Sequence, residues 1–184
     1  AFAPFTGDAA AYMQLGQPIP SGFQDMFDLN YRYATTQNGV YRPHYGVDYP
    51  NPEGTPVIAA APGEIVYAGP DWEITLGPNP FFYGNVVVIL HDFTSNGQPV
   101  YTLYGHLASV SVSAGQQVGA GELIGLVGGT GVALGGAHLH FEVRVGFNDY
   151  FSTRNPELWL RPIPRWGTLA GRGEGEGGDQ VAKL

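Results

Sequence analysis

The feature that most constrains this chain is the punctuation of its apolar runs. From about residue 40 they are short and separated by turns bearing glycine and proline: Thr55–Ala60, Glu64–Ala68, Gly84–His91, Val100–His106, Leu123–Val127 and His138–Val145. Runs this short, rich in Val, Ile and Tyr, suit strands rather than helices. The chain carries 28 Gly and 15 Pro, which inside a helix cost roughly 1 and 3 kcal/mol each. The expectation is a mostly β domain whose antiparallel strands floor an open groove, with less than about 15% helix. Ala61-Pro62-Gly63 marks a turn between the first two runs, Asn96-Gly97 a hairpin, and Gly115–Gly121 a further connection. Hydrophobic residues make up 43% of 184, enough for a chain of this size to bury about 70% of its unfolded surface. Global disorder is excluded.

Three regions differ in texture. Residues 1–31 hold several aromatics, three prolines and no basic residue. They read as an extended arm laid on the core, with a short helix over 8–15 capped by Asp8. Residues 32–162 carry the strand pattern. Residues 163–184 are Gly-rich and poor in large apolar side chains, so they read as a linker or tail. Inside the domain, residues 70–83 form a long aromatic loop with prolines at 70, 78 and 80. It is expected to wall one end of the groove.

Eight basic residues face sixteen acidic ones, for a net charge of −8. Lys and Arg do not cluster, which argues against a nucleic-acid partner. No apolar run approaches the ~18 to 20 residues of a membrane span. With no cysteine, disulfides and thiolate metal sites are excluded. The first residue, Ala1, fits a signal-peptidase product or a boundary chosen otherwise.

The chemistry rests on five histidines: His44, His91, His106, His138 and His140. In a strand, residues i and i+2 share a face with Cα atoms about 6.5 to 7 Å apart. His138 and His140 therefore project side by side, with Leu139 opposite. His44 and Asp48 offer one nitrogen and one carboxylate ligand, a pair that suits zinc. Pro43, Gly46 and Pro50 argue against a helix between them, and a straight strand would hold their Cα atoms roughly 13 Å apart. The chain is expected to bend at Gly46. His106 ends a strand in Tyr104-Gly105-His106-Leu107. His91 closes another strand and is read as a structural hydrogen-bonder, while Trp159 is read as a core anchor. Ser109, Ser111 and Ser113 follow His106, but the G-x-S-x-G elbow of a serine hydrolase is absent.

Taken in order, HYGVDY, GTPVIAAAPGEIVYAG, YGNVVVILH, YGHL, GQQVGAGELIGLVGGTG and HLHFEVR resemble the lysostaphin-like (LytM-type) zinc endopeptidases, which cut peptide bridges of bacterial peptidoglycan. The resemblance runs from about Tyr41 to Pro156. It implies the lysostaphin-like peptidase fold, one of the duplicated-hybrid-motif type. It also implies one Zn2+ held by His44, Asp48 and His140, with His138 as general base and His106 as a second catalytic histidine. Three ligands leave a fourth position open, as in catalytic zinc sites. A neutral imidazole then takes the proton of the activated water, and the other imidazole, protonated, donates to the oxyanion. Ala137 stands where the family usually has Pro, at some cost in loop rigidity. The resemblance implies an exported protein of the cell envelope or extracellular space, with a peptidoglycan peptide as substrate. Two other readings use the same fold: a non-catalytic regulator or binding module, and a structural subunit that self-associates or docks through the arm and tail. Regulators of this kind have usually lost metal ligands, whereas all five positions are intact here.

Overall fold

The computed structural model describes residues 13–72 and 74–163. The tail from residue 164 lies outside the described residues, as does most of the helix expected over 8–15. Of that segment, Leu15 is described and forms a parallel bridge to Leu160.

Nine strands follow one another: β1 Val47–Pro50, β2 Pro56–Ile58, β3 Gly63–Pro70, β4 Asn85–Ser95, β5 Gln98–Val110, β6 Gln117–Val118, β7 Leu123–Val127, β8 His138–Val145 and β9 Thr153–Arg154. Among the described residues the single helical element is a 3-10 turn over Pro156–Leu158. All strand pairings are antiparallel. The main path runs β1-β8-β5-β4-β3-β6, with β2 on β7, β7 on β5, and β9 on β8. The fold is the mostly antiparallel β architecture that the glycine and proline density predicts.

The Asn96-Gly97 turn joins β4 to β5 with both residues at positive φ (50° and 74°), as the right-handed twist of a tight hairpin requires. Three of the strands, β1, β6 and the two-residue β9, lie outside the six apolar runs that the sequence marks. β1 is four residues long and ends on a proline, and β6 is a two-residue pairing of Gln117–Val118 with Gly63–Glu64 inside the Gly115–Gly121 connection.

Side chains alternate between two apolar clusters. Val87, Ile89, Tyr104, Leu139, Phe141, Val143 and Val145 join Val47, Tyr49, Ile65 and Trp159 in the larger one. Val86, Val88 and Leu103 point the other way, toward Leu76 and Tyr83. The described part of the arm belongs to the larger cluster: Leu15 and Ile19 are buried there. His91 bonds the Pro62 carbonyl through Nδ1 at 2.9 Å, and its Nε2 lies 2.9 Å from Thr102 Oγ1. Thr102 in turn reaches the Tyr104 hydroxyl at 3.0 Å.

The long strand β5 sets the geometry. Its first part pairs with β8 as far as Gly105↔His140, and its last part pairs with β7 from Leu107↔Val127. The residue between is His106, at φ 63°. A non-glycine residue in the left-handed region costs of order 1 kcal/mol or more and persists only where its surroundings hold it. Here the His106 N–H donates to the Tyr83 carbonyl at 2.7 Å.

Candidate metal centre

β8 is buried on both faces. Leu139, Phe141, Val143 and Val145 enter the core, which fixes the register, so His138, His140, Glu142 and Arg144 all stand on the opposite face. β1 lies beside β8 with Asp48 directly across from His140. His44 comes from the turn just before β1. Gly46, between them, makes the turn possible by close approach: a Cβ there would sit 2.5 Å from the Phe141 carbonyl oxygen and 2.8 Å from the His140 ring.

The result is a tight triangle. His140 Nδ1 lies 2.8 Å from Asp48 Oδ1, and His44 Nε2 lies 3.2 Å from both Asp48 Oδ1 and His140 Nδ1. Two donors each about 2.0–2.1 Å from one tetrahedral ion stand about 3.3 Å apart, so these separations fit a shared divalent metal. The ring protons agree. The His44 Nδ1–H donates to the Tyr31 carbonyl at 2.8 Å, and a carbonyl can only accept, so Nε2 is the atom left for metal. His140 contacts the Glu142 carboxylate through Nε2 at 3.0 Å, which leaves Nδ1 facing the cluster. A histidine ligand bonded to a carboxylate or carbonyl through its other nitrogen is the usual support of a metal site.

The electrostatics match. Burial pushes Asp48 up, but hydrogen bonds and charge from His140 and His44 outweigh it and hold the carboxyl well below the usual range. Burial pulls His140 down, but Asp48 and Glu142 outweigh it and carry the ring up to about 9. Without metal, then, a proton on His140 balances the carboxylates.

His138 and His106 stand beside this triangle, with ring centroids 4.8 Å apart. His138 Nε2 lies 3.7 Å from Asp48 Oδ1, outside the triangle. Both rings are tied at Nδ1, His138 to the Gly136 carbonyl and His106 to the Thr130 carbonyl, each at 2.8 Å. The glycine-rich segment 128–137 therefore orients both. Burial first, then the neighbouring histidines His140 and His138, push His106 down to about 3. It is neutral at pH 7, with Nε2 as an acceptor.

Around His140 stand supporting residues to which the sequence reading gave no role. Glu142, fully buried, accepts from the Tyr83 hydroxyl at 2.5 Å and from Arg144 Nε at 2.8 Å. Arg144 also donates to the Leu76 carbonyl at 3.1 Å. Tyr83 and Leu76 come from the aromatic loop after β3, which Asp71 pins by accepting the N–H groups of Tyr83 and Gly84. That loop supplies the buried support of His140, while Trp72 and Phe81 at its outer edge remain exposed.

Residues 42–152 match the model of Peptidase family M23. The DD-carboxypeptidase/endopeptidase Mpg of Neisseria meningitidis is 44% identical over 106 residues, 58% of this chain and 21% of that protein. The peptidoglycan DD-endopeptidase ShyA of Vibrio cholerae is 39% identical over 103 residues, 56% of this chain and 20% of that protein. The chain thus spans about a fifth of the length of these relatives. The catalytic domain of the antimicrobial peptidase lysostaphin from Staphylococcus simulans superposes with a TM-score of 0.57 at 32% identity, covering 71% of this chain and 89% of that domain. The family match takes in more than half of the chain and every side chain of the triangle and its two neighbouring histidines. This chain belongs to peptidase family M23.

Proposed function

We propose that the protein is a zinc-dependent endopeptidase that hydrolyses peptide bonds in bacterial cell-wall peptidoglycan. The observation that carries the reading is the convergence of His44 Nε2, Asp48 Oδ1 and His140 Nδ1 beside two further imidazoles whose Nδ1 atoms are already committed. Two nitrogens and one carboxylate suit zinc. Bound there, zinc acts as a Lewis acid on the scissile carbonyl and lowers the pKa of water.

The chain's own residues handle the protons. His138 accepts the proton of the attacking water at Nε2, while its Nδ1–H stays on the Gly136 carbonyl and fixes the ring plane. The imidazolium so formed returns the proton to the leaving amine. His106, neutral at rest, takes a proton from solvent at Nε2, donates a hydrogen bond from it to developing negative charge, and returns it to solvent as product leaves. Glu142 keeps His140 turned so that Nδ1 faces the cluster.

The named activities of Mpg and ShyA support a wall-peptide substrate and an envelope or extracellular site of action. A net charge of −8 offers no long-range attraction to anionic wall polymers, so the segment recognised around the scissile bond is neutral or targeting comes from elsewhere. The test is to incubate purified wall sacculi with zinc-loaded protein and identify released muropeptides by mass spectrometry. Cross-linked species should fall to their uncrosslinked halves, stop with chelator and resume with added zinc. Zinc-loaded protein inert on every wall preparation would refute the reading.

A further inference from the structure

We infer that residues 28–35, outside the family-matched span, are part of the metal centre, with Tyr31 as the positioning residue for His44. The segment bonds the backbone of two of the three candidate ligands. The Asp28 N–H donates to the Asp48 carbonyl at 2.7 Å, the Ala34 N–H donates to the His44 carbonyl at 2.7 Å, and the His44 N–H donates to the Thr35 carbonyl at 3.0 Å. Tyr31 acts on the His44 side chain twice. Its carbonyl takes the Nδ1–H, which decides the tautomer. Its ring lies on the imidazole with centroids 4.1 Å apart and planes within 1°, which decides the plane.

Each restraint removes one freedom from His44. The carbonyl alone would let the imidazole rock about the Nδ1–H···O axis. Stacking alone would let the ring turn over and offer Nδ1 to the cluster. Together they leave Nε2 aimed at Asp48 and His140. Tyr31 is itself held, because its hydroxyl donates to the Arg42 carbonyl at 2.8 Å. The segment is anchored at its far side by the Arg32 guanidinium on the Glu157 carboxylate, and is braced internally by the Thr35 hydroxyl on the Arg32 carbonyl. The stretch from Asp28 to Thr35 therefore ties the 3-10 turn at the end of the domain to the ligands at its beginning.

The inference rests on the metal assignment proposed above, and its test separates the two. The zinc dissociation constants of wild type, Tyr31→Ala, Tyr31→Leu and Tyr31→Phe are measured by competition with a chromophoric chelator. The urea midpoint of each zinc-free protein is measured in parallel. Loss of a group that orients a ligand typically weakens metal binding 10- to 100-fold. Tyr31→Ala and Tyr31→Leu should fall in about that range with zinc-free midpoints close to wild type, and Tyr31→Phe, which keeps the stacked ring, should stay within a few-fold. Wild-type affinity in Tyr31→Ala would overturn the role, as would an affinity loss matched by an equal loss of zinc-free stability in both Ala and Leu variants. A Tyr31→Ala chain that does not fold leaves Tyr31→Leu to decide the same question. A wild-type chain that takes up no zinc would overturn the metal assignment itself and this role with it.

Discussion

Glu142 is the residue whose placement in the strand does most for the site without touching the metal position. Burial pushes its carboxyl up, but Arg144, then His140 and Tyr83, outweigh that and hold it down at about 2. It is therefore a buried anion that survives only because it is fully bonded. Glu142→Gln would leave the Arg144 guanidinium buried without its counter-charge, a loss of about 3–5 kcal/mol. It should also weaken zinc binding roughly 10- to 100-fold. Urea unfolding of the zinc-free protein checks the first figure, and a change below about 1 kcal/mol would count against it. His138→Ala and His106→Ala should instead keep zinc and fold while turnover on a muropeptide falls at least about a hundredfold. The two classes of residue were not equally legible. The five histidine and aspartate positions come from short motifs, and the structure brings all five into one place. Glu142 and Arg144 carried a readable signal, since period two in HLHFEVR puts them on the face of His138 and His140. Tyr31 carried none, because its contact with His44 arises from how an unpatterned segment folds back.

At the scale of elements, two departures from regular strand geometry build the site. One is the left-handed kink at His106, where β5 leaves β8 for β7. The other is the turn at Gly46, where absence of a Cβ matters for close approach to β8 and not for positive φ. Gly46→Ala should push the turn away from Phe141 and His140, costing roughly 1–3 kcal/mol and loosening the ligand triangle. A zinc affinity and urea midpoint equal to wild type would contradict this. β1 was hidden in the sequence because a four-residue strand that follows a glycine and ends on a proline is too short to read, whereas the β-branched run of β4 was plain. β4 itself supplies a pH prediction. His91 has its pKa lowered, by burial first, against the Pro62 carbonyl and Asp92, which raise it. The folded state therefore resists its protonation. Its contribution is present in full above the unfolded value of about 6.5 and is lost as pH falls through the lowered one. Wild type should lose more stability than His91→Gln between pH 7.5 and 5.5, measured by urea unfolding; parallel curves would rule this out.

For the whole molecule, the fold class was legible because glycine and proline leave little but short strands. The sheet path was not, since which strand neighbours which depends on contacts far apart in sequence, such as Asp48 with His140. With the metal assignment proposed above, those long-range pairings would also couple metal to folding. The three candidate ligands come from the turn before β1, from β1 and from β8, and residues 28–35 bond to two of them. Metal should therefore staple the start of the domain to its centre, raising stability by about 2.7 kcal/mol at a hundredfold excess over the dissociation constant. Chelator should lower the thermal midpoint accordingly, and a midpoint indifferent to zinc would deny the linkage. We propose a division of labour within one strand, in which His140 holds the metal and His138 moves the proton. The most direct measurement is the zinc content of His140→Ala and His138→Ala purified side by side. The account predicts near-zero zinc in His140→Ala and about one per chain in His138→Ala. Zinc retained in His140→Ala and lost in His138→Ala would contradict it.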